Sequence, residues 1–283
     1  MFATARKRRG FTFPPYVLLL FPAVMFMLLI YAYPFVSSVI RSFINKNGTL
    51  SLDNYIKSWN LYLKDILFTF SITIFNTLAS GIVAVLLSVY FRLHDSIISR
   101  FLIKLYRLPI FIPFVVVAQM MNSFLAPHGL LNIALAQFRL INLNNPLQLF
   151  NFVGLSFGFI WKLAPFTILI IYGGFQMIDN SYIEAARSSG ARSFNLIVRI
   201  LIPMNKPSIM VALVLIYSQI VGTFTLPYML IGGKIPTTIT VDIAHRVNYF
   251  RDFGVANALG VFSYILVFVT AIYYLRTKIR EVQ

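Results

Sequence analysis

The 283 residues carry 24 lysines and arginines against 8 acids, a formal net charge of +16, yet only 11% are charged and 59% are hydrophobic, for a mean hydropathy of +0.80. Ordinary soluble domains hold roughly 25% charged residues, so this composition excludes a soluble globule and assigns the chain to a membrane. The absence of cysteine excludes disulfides and thiolate metal sites. Residues 1–15 form a basic tail with Arg6, Lys7, Arg8 and Arg9. The apolar run after it has the outline of a secretory signal. It is too long for such a signal and lacks a convincing small-residue cleavage site, so it is expected to stay as the first span.

A membrane-crossing helix needs about 20 mainly apolar residues. Six stretches qualify, at 16–40, 66–91, 102–126, 149–176, 207–232 and 254–275. The expected fold class is therefore all-α, a polytopic membrane protein with six transmembrane helices in a single domain over 16–275. A loop at 177–206 lies between the fourth and fifth spans, and a short tail occupies 276–283. Fifteen of the basic residues fall on the side of both termini and the 177–206 loop, and eight on the other. By the positive-inside rule, both termini and that loop face the cytoplasm. The basic excess is then mostly a topology signal with anionic-lipid contact, and no nucleic-acid partner is expected.

In the second span Thr69, Thr73, Asn76, Thr77 and Ser80 recur at helical spacing, a stripe that reads first as interhelical hydrogen bonding and second as a path lining. Gln119, Asn122 and Ser123 share one face of the third span, as Gln219 and Thr223 do of the fifth. These are candidate substrate-path residues. Lys162 lies inside the fourth span, where an unpaired charge is expensive, and the favoured reading is that this span truly begins near Trp161.

All 8 acids, Asp53, Asp65, Asp95, Asp179, Glu184, Asp242, Asp252 and Glu281, fall outside the apolar stretches. Ion-coupled carriers commonly hold a carboxylate at membrane depth, so none is expected to power transport here. Gly232-Gly233-Lys234 lacks the upstream glycine of a phosphate loop, and an energy source must sit on another polypeptide. His94, His128 and His245 are isolated, and neither a metal cluster nor a set of catalytic groups for lipid chemistry emerges.

Residues 184–203 read EAARSSGARSFNLIVRILIP, a polar, small-residue loop between apolar spans. Ser181 with Glu184 has capping-box spacing, which would start a short helix through Ala185, Ala186 and Arg187. Gly190 permits a positive-φ helix end, and Ser193 could cap a second helix from Asn195 to Ile202. The expected product is a helix–turn–helix knob whose paired alanines let a partner's groove close tightly, with Glu184 offered to an Arg or Lys.

That pattern resembles the coupling loop of the membrane subunits of ATP-binding-cassette importers. The resemblance rests on Glu184, Ala185, Ala186, Gly190, Ile200 and Pro203 at the family's spacing, with Ile202 where the family has Leu. Tyr33-Pro34, Ser42-Phe43, Leu52-Asp53-Asn54-Tyr55, Asn76-Thr77, Leu130-Leu131-Asn132 and Trp161-Lys162 look in order like the sugar-type permeases, of the maltose and glycerol-phosphate kind. Thr225-Leu226-Pro227-Tyr228 is similar to polyamine-type permeases. The resemblance implies a type I importer permease that pairs with a homologous second permease. It implies two copies of a cytoplasmic ATPase docked at the six coupling positions, and an extracytoplasmic substrate-binding protein. ATP and Mg would be used by the ATPase and no cofactor by this chain, which is not itself an enzyme. It also implies that Gln219, Gly222, Thr223 and Phe224 face a sugar or oligosaccharide. The alternatives are a polyamine or other small polar cargo, or an ATP-independent channel.

Overall fold

A computed structural model describes residues 16–282 apart from Gly233 and Ile235; the basic tail at 1–15 lies outside the described residues. Every regular element in it is helical. The first helix runs as α1 (Tyr16–Met27), a π-helical turn (Leu28–Ala32) and α2 (Tyr33–Ser42). None of the most apolar 18 residues within 20–42 is buried in the chain, as expected of a helix whose solvent is lipid or another subunit. Next comes α3 (Asp53–Leu93), 41 residues long and far longer than the 66–91 stretch. A residue count of apolar positions finds only the part of a helix that needs a membrane, and α3 continues beyond it on half-polar sequence.

The expected third span, 102–126, is not one helix. It divides into α4 (Ile97–Leu105), a 3-10 turn (Leu108–Phe111) and α5 (Phe114–Leu125), because Pro109 and Pro113 each remove a backbone donor. A short helix, α6 (Leu130–Gln137), follows. Asn132 then ties down the next loop by donating to the carbonyls of Ala126 and Leu147 and accepting from the Leu147 N–H. The fourth span is α7 (Phe152–Gln176), begun by Asn151, whose side chain accepts from the Val153 N–H at 2.9 Å.

Two short helices, α8 (Asn180–Ser188) and α9 (Ser193–Leu196), lead through a π-helical turn (Ile197–Leu201) to α10 (Ile202–Met204). The fifth span is also broken, into α11 (Lys206–Gly222) and α12 (Thr225–Ile231), and is followed by α13 (Ile239–Asn248) and α14 (Phe253–Val282). Five helical stretches are long and apolar enough to cross a membrane, and 193–204 with α11, bent by 69°, makes a sixth.

The centre is α3 laid along α7. One apolar cluster joins Ile72 of α3, Val117 and Met121 of α5, Phe159 of α7, Ile216 of α11 and Leu226 of α12. A second joins Ala84 and Phe91 of α3 to Ile171 and Phe175 of α7, Ile183 and Ala186 of α8, and Leu196 of α9. The polar stripe of α3 is buried against these partners, with Asn76 donating to Ser156 of α7 at 3.1 Å. Asp65 and Asp242 lie outside the apolar stretches, yet both are buried, Asp65 2% exposed within α3 and Asp242 5% exposed in α13. The amphipathic extension of α3 carries Asp65 beneath α13, a tertiary burial that hydropathy does not report.

Candidate functional site

The 177–206 segment folds as a knob on the end of the α3–α7 pair. Arg92, at the last turn of α3, donates to the carbonyls of Phe175 (3.0 Å) and Ile178 (2.8 Å) and to Asn180 Oδ1 (2.6 Å). It thereby adds a donor to the Phe175 carbonyl, which the Ile178 N–H also reaches, bonds the Ile178 carbonyl, and ties the end of α7 to the start of α8. Asp179, not Ser181, caps α8, accepting from the Ser181 N–H at 2.8 Å. Hydrogen bonds from Ser181 hold its carboxyl below the usual carboxylate range. Asp179 lies one residue ahead of the helix in extended backbone, the geometry an N-cap requires, whereas Ser181 is already helical.

Helix α8 ends at Gly190 with φ +78°. The Gly190 N–H bonds to the Arg187 carbonyl and the Ala191 N–H to the Ala186 carbonyl, both at 2.9 Å. This pair of bonds is a Schellman motif, and only a residue content with left-handed backbone completes it. Ser193 is the first residue of α9 and no side-chain cap precedes it, so the second expected helix is short and passes into the π turn. The alanines part company: Ala186 packs inward with Ile183, and Ala185 and Glu184 face outward. Ile200 packs on the same inner cluster, and Pro203 is exposed in α10. Asn205 donates to the Ile171 carbonyl at 2.8 Å, and Gly174 lets Asn205 and Ser208 approach α7 where any Cβ would collide. Met177, 88% exposed, and Phe194, 72% exposed, flank Glu184 in sequence and leave apolar surface on a polar knob.

The broken helices form the second part of the site. Lys162, 8% exposed, lies well inside a continuous helix α7 that begins at Phe152 rather than near Trp161. Its ammonium donates to the carbonyls of Pro109 (2.9 Å), Ile110 (3.2 Å) and Ile112 (2.5 Å). An ammonium has three donors and all are used. The break leaves these carbonyls turned toward α7; the Pro109 carbonyl also accepts from the Ile112 N–H at 3.3 Å, and Lys162 supplies a donor to all three. Lys162 and Gln219 line one cavity of about 260 Å³ with Ile110, Phe114 and Phe166.

The second break is at Thr223. Its hydroxyl folds back to the Gln219 carbonyl at 2.6 Å, and its own carbonyl accepts from Thr240 of α13 at 2.9 Å. Phe224 stacks on Tyr228, with ring centroids 4.9 Å apart. Gln119 and Ser123 instead line a larger groove of about 740 Å³ between α5, α7 and α12, with Phe124, Phe157 and Trp161; Asn122 is half-buried beside it. The candidate path residues therefore divide between two places, Gln119 and Ser123 in one and Gln219 in the other. Arg92, Asn205 and Lys162 carry the local geometry; only Lys162 signals this in the sequence, as a charge inside an apolar stretch that needs partners.

Residues 76–280 match the family model described as the binding-protein-dependent transport system inner membrane component. The chain belongs to that family. The matched stretch takes in both breaks and the whole knob, so this family member is a membrane-embedded transport component crossing the bilayer several times. Over 134 residues it is 37% identical to the sulfoquinovosyl glycerol transport permease SmoG of Agrobacterium fabrum, covering 45% of this chain and 43% of the relative. It is 33% identical over 120 residues to the trehalose/maltose permease MalF of Thermococcus litoralis, 41% of this chain and 40% of that one. The spermidine/putrescine permease PotB of Haemophilus influenzae is 29% identical over 163 residues, 56% and 55% of the two chains. These alignments span about two-fifths to just over half of the relatives' lengths. The fold matches a chain of a bacterial alginate ABC transporter crystallised with an alginate-bound periplasmic protein, with a TM-score of 0.76, 19% identity and 92% of each chain covered.

Proposed function

We propose that this family member is the membrane-spanning permease subunit of an ATP-driven, binding-protein-dependent importer and forms half of the path for a sugar or oligosaccharide. The observation that carries the reading is the knob: a rigid, Schellman-closed helix end presenting Glu184 and Ala185, with Met177 and Phe194 exposed nearby, braced on the bundle by Arg92. An apolar surface held out on a polar loop is what a docking partner would cover. The partner is a cytoplasmic ATPase, present in two copies, one on this knob and one on that of a homologous second permease. Closure of the ATPase dimer on ATP and Mg is passed through Glu184, Ala185, Ala186, Gly190, Ile200 and Pro203 to the α3–α7 pair. The spans then rock as rigid bodies between two access states. An extracytoplasmic binding protein delivers the cargo. Both termini and the knob are cytoplasmic by the distribution of basic residues, and this subunit performs no covalent chemistry.

For cargo, the sugar names of the two more similar relatives favour a polyol, and the neutral amides and hydroxyls of Gln119, Asn122, Ser123, Gln219 and Thr223 beside Phe224 suit hydroxyl groups. The polyamine reading is kept because PotB aligns over a longer stretch. The deciding experiment is uptake of labelled trehalose, maltose and spermidine by proteoliposomes holding the complete importer. Saturable, ATP-dependent entry of a sugar with none of spermidine is expected; the converse would move the assignment to polyamines.

A further inference from the structure

Helix α13, ten residues long and too short to span a bilayer, begins on the side chains of α3. The Thr237 N–H donates to Asp65 Oδ1 at 2.7 Å and the Ile239 N–H to Thr69 Oγ1 at 2.9 Å. The second satisfies a backbone donor that every helix start leaves open, and the first ties down the residue before the cap. Behind them Ile239 packs with Ile66 of α3 and with Val255 and Leu259 of α14 in an apolar cluster of their own. Asp242 is buried in this seat one turn into α13, and among the described residues its Oδ2 has no hydrogen-bond partner.

Asp242 forms no ion pair among the described residues. The titratable groups that act on it or on which it acts are Asp65 and Tyr62 of α3 and Arg246 of α13 itself. Only Asp65 and Arg246 act on it appreciably. Arg246 is committed elsewhere, bonding to Tyr62 Oη at 2.5 Å and lying 3.6 Å from Asp252, which Lys57 also pairs at 2.6 Å. Asp65 is the better anion of the two, because a backbone N–H donates to it. Two carboxyls in one dry interface cannot both ionise cheaply.

We propose that Asp242 carries a proton at neutral pH and that this proton is the latch holding α13 on α3. Burial first, and the Asp65 charge second, push its carboxyl up from 3.8 to about 8. The latch reaches the path, since Thr240 on the same helix holds the Thr223 carbonyl at the break in the fifth span. Release of α13 above that pH slackens the break beside Gln219. The latch stands on the fold alone, and only its effect on uptake rests on the proposed transport function.

The sign follows from proton linkage. Folded protein binds one proton more than unfolded protein between the two values, so this group's contribution to stability declines as pH rises from about 4 to about 8 and is constant above. Because the chain has no cysteine, a thiol at the buried Val241 reports the seat directly. Detergent-purified Val241→Cys protein is labelled with maleimide between about pH 6 and 9, alongside the same protein carrying Asp242→Asn, which cancels the thiol's own titration. Labelling is expected to rise many-fold more between about pH 6 and about pH 8 when Asp242 is present, and to level off above about pH 8. Asp65→Asn, which keeps an acceptor for Thr237, is expected to move that rise to lower pH. Parallel labelling curves with and without Asp242, or no displacement by Asp65→Asn, would overturn the latch. If labelling behaves as expected while uptake by the reconstituted importer is unchanged across the same range, the latch holds and its link to the path fails.

Discussion

Lys162 places a full positive charge inside an apolar helix and surrounds it with three backbone carbonyls instead of a carboxylate. Each buried carbonyl left without a donor costs roughly 1–3 kcal/mol. Lys162→Met preserves length and removes all three bonds but leaves the Pro109 carbonyl its Ile112 donor, so it is expected to destabilise the purified protein by about 2 kcal/mol or more, a fall in melting temperature of roughly 4–8 °C. Lys162→Arg is expected to fall between the two, having donors but the wrong shape. Unchanged melting in the Met variant would mean that the break at 106–113 is held by its prolines and packing alone. The sequence made Lys162 conspicuous without giving its partners, because the carbonyls lie about fifty residues earlier in the chain. Asp65 and Asp242 were invisible for a related reason: local hydropathy scores each by its neighbours along the chain, and their burial comes from α13 folding across α3.

At the scale of the element, the knob is the best test of how sequence becomes mechanism. Nothing lies within 4 Å of where a Cβ at Gly190 would project, so substitution there meets no steric wall and is limited by its positive φ alone. Left-handed backbone costs a non-glycine residue roughly 1–3 kcal/mol, most for a β-branched one and least for asparagine. Gly190→Val is expected to abolish uptake while membrane insertion and pairing persist, and Gly190→Asn to restore most of it. A second prediction separates support from contact. Arg92→Ala should loosen ATPase capture by releasing the start of α8, whereas Glu184→Ala should lower uptake moderately with α8 intact; pull-down of the ATPase and proteolysis of the 177–206 loop distinguish them. The position of the Gly190 turn was legible because only glycine suits it. The N-cap was not: Asp179 and Ser181 both qualify by type, and the backbone before the helix decides. The broken third and fifth spans were misread as continuous because apolar counting is blind to Pro109 and Pro113, and to a threonine whose carbonyl is held from another helix.

For the whole molecule, the account needs the knob and both termini on one side of the bilayer. With no native cysteine, a thiol at exposed Ser189 should react with an impermeant reagent only after the membrane is opened, and one at exposed Asn47 should react in intact cells. Asp65 and Arg92 are 27 positions apart within α3, which at 1.5 Å per residue is about 40 Å, enough to cross a bilayer. The central claim is that this chain is one half of an ATP-driven path rather than a pore in its own right. It is tested most directly by measuring sugar entry into proteoliposomes that hold either the chain alone or the chain with its second permease, ATPase and binding protein, each with and without ATP. The account predicts entry only with the full set and ATP, lost on Gly190→Val. ATP-independent entry through the chain alone, unaffected by Gly190→Val, would contradict it.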